Sequence, residues 1–209
     1  QSEMLTYILL SSVISNIVLS TKTADVAGEI ISGDIVDDII RPFSYFGFQL
    51  SKDLADKLLN VLFTIVEIGL VIFFLKPDIV ITADAGSLGL VVLFTLIGGA
   101  IAFFVNLAIS FVGFWTPEVW APRFIFFMLI LFFSGSYFPL DILPEPLYYL
   151  LYLTPFPYLY FLPTRVYLGI ETGNILFFAA AGIVWVFLSF YLTRKMWHKG
   201  MREFSFFGR

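Results

Sequence analysis

Glu67 lies near the middle of the apolar run Leu58–Leu75, where hydrocarbon penalises an ionised carboxylate by several kcal/mol unless it is paired, protonated or turned to water. Two readings follow. Glu67 is a proton-relay or substrate-contact residue, or it is a neutral carboxyl hydrogen-bonded to a neighbour such as Asn60 or Asn106. A relay needs a second embedded charge, and the apolar runs hold none. Nucleophilic catalysis lacks its base: Ser134-Gly135-Ser136 offers hydroxyls, but the sole histidine, His198, belongs to the carboxyl-terminal tail, so no dyad forms. The absence of cysteine removes disulfides, thiolate catalysis and cysteine metal sites together. Nothing matches the phosphate-cradling pattern G-x-x-x-x-G-K-S/T, and no polar stretch has room for a nucleotide-binding domain. The chain is therefore not expected to hydrolyse ATP, or to act as an enzyme, by itself. Trp197 and Arg202 in the tail read as interfacial anchors rather than a nucleic-acid site.

These residues have to be carried by membrane helices. Of 209 residues, 59% are hydrophobic and 13% charged, with mean hydropathy +0.93, against about 45–50% apolar and about 25% charged in soluble domains. Apolar runs without internal Lys or Arg at Met4–Ser20, Leu58–Leu75, Leu88–Phe114, Phe124–Phe138 and Ile175–Thr193 predict five spans. Phe124–Phe138 is short and must borrow flanking residues or end below the surface. The fold class expected is an all-α polytopic membrane protein, one transmembrane domain over residues 1–209. Gly98 and Gly99, with Ala100 and Ala102, read as a close helix-packing face.

Basic residues sort by side. Lys22, Arg41, Lys52, Lys57, Arg123, Arg194, Lys195, Lys199, Arg202 and Arg209 fall on one side, Lys76 and Arg165 on the other. A division of ten against two among the 12 basic residues puts the first group, and the carboxyl terminus with it, in the cytoplasm. Five spans then leave Gln1 outside, and nothing before Met4 resembles a signal peptide. That parity leads us to expect an earlier helix upstream of Gln1.

Two polar interruptions carry the most specific patterns. In the cytoplasmic segment 21–57, Ala24–Ile31 continues a helix out of the membrane, and Ser32-Gly33-Asp34 breaks it, offering Ser32 or Asp34 as N-cap for a short helix Ile35–Ile40. Asp37 and Asp38 complement that helix's dipole, Ile35, Ile39 and Ile40 give it an apolar face, and Pro42 stops it. Phe43, Phe46, Leu50, Leu54 and Leu58 then recur at helical spacing opposite Ser44, Gln49, Lys52, Asp53 and Lys57, the pattern of a helix lying in the interface. The segment is either a connecting loop or a rigid platform that docks a soluble partner. In the outer segment 139–172, Pro139, Pro144, Pro146, Pro155, Pro157 and Pro163 forbid a continuous helix, while its Tyr and Phe residues keep it at the membrane. Short re-entrant helices that pack on the bundle or cap an outer vestibule fit this pattern; an aromatic anchoring belt is the alternative.

The runs GEIISGDIVDDIIRPFSYFGFQL, FSGSYFPLDILP, LTPFPYLYFLPTRVYLG and WHKGMREFSFFGR resemble permeases of the type-two ATP-binding-cassette (ABC) transporters, in a bacterial branch with small permease subunits. The likeness covers most of the chain. It implies six membrane helices, one of them before Gln1, in the bacterial cytoplasmic membrane. It implies that Gly33, Asp34, Asp37, Asp38, Ile39, Ile40, Arg41 and Pro42 form the coupling helix that sits in a groove of the ATPase. Re-entrant helices bearing Pro139, Pro144, Pro155 and Pro157 would close the outer gate. Ser11, Ser15, Phe127, Met128 and Leu131 would line the pathway, their apolar character suiting a hydrophobic or amphipathic substrate. The working exporter would contain two ABC ATPase subunits, which bind ATP and Mg, and a second permease, identical or not. A membrane scaffold that moves nothing is the alternative.

Overall fold

The computed structural model describes residues 2–77, 84–135, 140–169 and 174–204, and among them every regular element is helical. The helices are α1 (Ser2–Leu19), α2 (Val26–Ser32), α3 (Ile35–Ile39), α4 (Tyr45–Leu75), α5 (Ala85–Ser110), α6 (Trp120–Phe133), α7 (Glu145–Tyr152), α8 (Phe161–Tyr167) and α9 (Ile175–Glu203). Short 3-10 turns sit at Lys22–Ala24, Phe111–Phe114, Leu140–Ile142 and Phe156–Tyr158.

Three of these, α4, α5 with its terminal 3-10 turn, and α9, are long and apolar enough to cross a membrane. A fourth is obtained only if α1 is taken together with Lys22–Ser32, and the two parts are bent by 45°. The expected helix leaving the membrane thus turns aside instead of running on. α6 has 14 residues, about 21 Å at 1.5 Å per residue, short of the ~30 Å of hydrocarbon. It ends before Gly135, whose φ of +81° is left-handed and suits glycine. Its expected continuation to Phe138 falls outside the described residues.

α5 is the central post, packed by α9, α8 and α1. Around it lies the main core, in which Phe94, Ile101, Tyr158, Tyr160, Phe161 and Leu162 are fully enclosed. A second core at the other end joins Val26, Ile30, Ile35 and Tyr45 to Phe103, Leu107 and Phe111. There Trp197 of α9 stacks on Tyr45 with ring centroids 4.2 Å apart. The α1–α2 bend, the Phe111–Phe114 turn and the last turns of α9 therefore share one end of the bundle.

The interfacial helix expected after Pro42 is not separate. Ser44 caps it by accepting from the Gly47 amide at 3.2 Å, and the helix then runs unbroken for 31 residues into the span. Nothing between Gly47 and Gly69 can stop it, since that stretch has neither glycine nor proline. Its buried residues are Tyr45, Gln49, Asp53 and Thr64, while Leu54, Leu58, Leu62, Phe63 and Val66 face outward. That inverts the arrangement of a soluble amphipathic helix, as lipid on the outer side requires.

Candidate functional site

The segment between α1 and α4 folds into an elbow. Gly33 adopts φ +90°, with open space where a β-carbon would point, so its backbone conformation alone calls for glycine. The capping differs from expectation. Asp34 holds the N-cap position of α3 in a helical conformation and makes no side-chain cap bond; instead the Ser32 hydroxyl donates to its Oδ2 at 2.7 Å.

Ile35 is fully enclosed and sets which side of α3 faces inward. Asp38 follows one turn later and is also buried, its Oδ2 3.2 Å from Lys52 Nζ and its Oδ1 3.6 Å from Arg41. Lys52 also pairs with Glu29 of α2 at 3.3 Å, and the Lys52 ammonium and the Arg41 guanidinium lie 4.4 and 5.0 Å from the centre of the Phe48 ring. The expected contact set therefore splits. Asp34, Asp37, Ile40, Arg41 and Pro42 are exposed, Gly33 and Ile39 are half-buried, and Asp38 points inward to fasten the elbow to α4. Ile40 is 74% exposed, and Ile31 at 50% and Phe43 at 49% are exposed as well. Ile31 is not singled out in the sequence and Phe43 reads as part of the following helix, because helix periodicity does not extend across the Gly33 and Pro42 breaks.

Along α4, Tyr45, Gln49, Asp53 and Lys57 stand four residues apart on the inner face. Lys57 pairs with Asp53 at 3.3 Å and donates to the carbonyls of Val18, at 3.2 Å, and Ser20. The last carbonyls of any helix lack intrahelical donors, so Lys57 closes the end of α1. The same stripe continues through Thr64 to Glu67, where α1, α4 and α8 enclose a cleft of about 270 Å³. Thr6, Ser12 and Asn16 line it from α1, Thr64 and Glu67 from α4, and Tyr167 from α8, with Leu9, Val13, Ile68 and Val71 as apolar wall.

Glu67 is not paired as expected. Asn60 donates to Asp56, and Asn106 on α5 donates to the Ala102 carbonyl at 2.9 Å. Among the described residues the Glu67 carboxylate has no hydrogen-bond or ion-pair partner. Of the expected pathway residues, Ser11 and Ser15 donate back into α1, to Ile8 and Ser12 carbonyls at 3.1 and 2.9 Å. α1 meets the cleft through Ser12 and Asn16 instead. On α6, Phe127 is exposed and Met128 and Leu131 are half-buried. Met128 shares a shallow outer concavity with Phe124, Ile125 and Phe132, and the α6 residues do not join the cleft.

The proline-rich segment packs on the bundle. Pro144 starts α7, and Pro155 starts the 3-10 turn that contains Pro157; Pro139 lies outside the described residues. Tyr158 enters between α5 and α9, its backbone resting on Gly98, while a β-carbon at Gly182 would stand 2.8 Å from its ring. The glycine face expected at Gly98 thus receives this segment rather than another span. Tyr7 of α1 donates to the Gly135 carbonyl at 2.9 Å, and Trp185 of α9 donates to that of Leu153 at 3.1 Å. Tyr152, Tyr158, Tyr160 and Phe161 are buried, which a mere interfacial belt would not require. The residues weighed for nucleophilic chemistry are engaged locally, Ser134 with the Ile130 carbonyl and His198 with that of Arg194.

A helical bundle with several membrane-length apolar helices, a polar elbow at one end and a broken helical segment at the other defines a multi-pass membrane protein. Residues 1–208 match the family model described as ABC-2 family transporter protein, and the chain belongs to that family. No curated protein and no solved structure matches it.

Proposed function

We propose that this chain is a membrane-spanning permease subunit of an ATP-driven exporter, working with ABC ATPase subunits that carry ATP and Mg and with a second permease that completes the pathway. The observation that carries the reading is the elbow. It leaves Ile31, Ile40 and Phe43 exposed, and Asp34 and Asp37 with them, apolar and acidic side chains open to a partner. A fully desolvated apolar anchor with a polar surround is the form a docking surface takes.

A push on the tip would enter the membrane through two links in series. Lys52 carries it from Glu29 and Asp38 to α4, and Lys57 carries it from α4 to the carbonyl end of α1. ATP-driven closure of the ATPases would shift α4 against α1 and so change the cleft they share. The elbow end, with Lys22, Arg41, Lys52, Arg123 and the basic carboxyl end of α9, would lie in the cytoplasm of a bacterial inner membrane. The mostly apolar cleft suits a hydrophobic or amphipathic substrate.

The test separates docking from folding. Ile40→Asp is expected to abolish co-purification with the ATPase while leaving thermal stability unchanged. Asp38→Ala, which removes a buried partner of Lys52, is expected to lower stability first. If Ile40→Asp kept full ATPase association and turnover, the docking reading would fall. Association without ATP-dependent transport would favour the scaffold instead.

A further inference from the structure

We propose that the cleft between α1 and α4 is a binding site for lipophilic cations, with Glu67 as their counter-charge. It deepens the exporter reading by giving the pathway a cargo class, and rests on that reading only in treating the occupant as cargo.

The argument starts from an electrostatic imbalance. Among the described residues Glu67 is the one charged residue that lines the cleft, it is exposed, and it has no hydrogen-bond or ion-pair partner. The polar groups around it, Thr6, Ser12, Asn16 and Thr64, are neutral. The nearest basic residue along α4 on the cytoplasmic side is Lys57, and its ammonium is engaged by Asp53 and the end of α1. A carboxylate left in that position costs several kcal/mol. A bound cation removes that cost, an anion adds to it, and a neutral molecule leaves it unchanged.

Shape supplies the rest of the selection. The α1 lining runs from Thr6 to Asn16, about 15 Å along the helix, and its walls are mainly aliphatic. An occupant therefore needs an apolar body as well as a positive charge. A cation whose charge is buried within apolar groups loses little hydration on entering, whereas a small ammonium or metal ion would lose much more.

Two probes of nearly the same shape and opposite charge test this: tetraphenylphosphonium and tetraphenylborate, measured against the full-length chain in phosphatidylglycerol nanodiscs, with empty discs subtracted. Saturable binding of the cation is expected, together with at least tenfold weaker binding of the anion and at least tenfold weaker cation binding in Glu67→Gln. Val71→Trp, which fills the cleft and keeps the carboxylate, is expected to weaken it as much; unfolding temperatures check that both variants fold. Equal binding of the two probes, or unaltered cation binding in either variant, would overturn the proposal. Suppression of cation binding by added phosphatidylethanolamine would assign the site to a lipid amine and overturn the cargo class. The exporter reading fails separately, on ATPase association with the Ile40 tip, which Glu67→Gln leaves untouched.

Discussion

Lys57 holds acceptors from two helices: the Asp53 carboxylate on α4 and the Val18 and Ser20 carbonyls at the end of α1. Its side chain is 14% exposed and that of Asp53 1%, so removing either partner strands a buried charge. Lys57→Met is expected to cost about 3–5 kcal/mol of stability, read as a lower unfolding temperature in detergent, and adding Asp53→Asn is expected to recover part of it. In the sequence Lys57 reads as a basic residue that sets orientation and as part of the polar face of an interfacial helix. Its pairing with Asp53 is local, but the carbonyls it holds at the end of α1 lie 37 and 39 residues away, beyond any local pattern. Asp38 shows the same limit, because a five-residue helix has too few turns for its pattern to settle which acid faces inward. Glu67 was legible as a problem; that Asn60 and Asn106 stay within their own helices was not.

Among the elements, α4 and the broken segment answer to different rules. Sequence periodicity placed Leu50, Leu54 and Leu58 opposite Gln49, Asp53 and Lys57, and in α4 the polar side is the one that meets protein; Phe46, expected on the apolar side, packs into the second core. In lipid, apolar burial does not drive helices together, so inner faces are left to polar contacts and small residues. The broken segment was legible from its prolines, and its depth follows from glycines on the helices it meets. Gly182→Val on α9 is expected to push Tyr158 out and cost about 1–3 kcal/mol. Gly89→Val on α5, where a β-carbon meets open space, is expected to leave the unfolding temperature unchanged. Equal shifts would mean that Tyr158 is not the contact that matters.

At the scale of the whole molecule, composition and run length identified a multi-pass helical membrane protein, and family membership agrees with the resemblance in the elbow, outer-segment and tail motifs. The number of spans was less legible, since α6 is too short and α1 is bent away from its continuation. Sidedness is open to direct measurement because the chain has no cysteine, so single cysteines can be introduced without a background. In intact cells, a membrane-impermeant maleimide is expected to spare Asp37→Cys and Lys199→Cys and to label Glu145→Cys. Labelling of all three, or of the first two alone, would reverse or dissolve the assigned orientation.

Lys57 also divides α4 unequally. About 18 Å of helix lies on the Tyr45 side of it and about 27 Å on the Leu75 side. A rigid rod pivoting there is a lever with a mechanical advantage of about two-thirds, so a small stroke at the elbow returns as a larger, opposite swing at the far end. Glu67 rides on the long arm only about 15 Å from Lys57, so under the proposed coupling it would swing opposite to the Tyr45 end by a nearly equal distance, and the larger travel would fall to the Leu75 end.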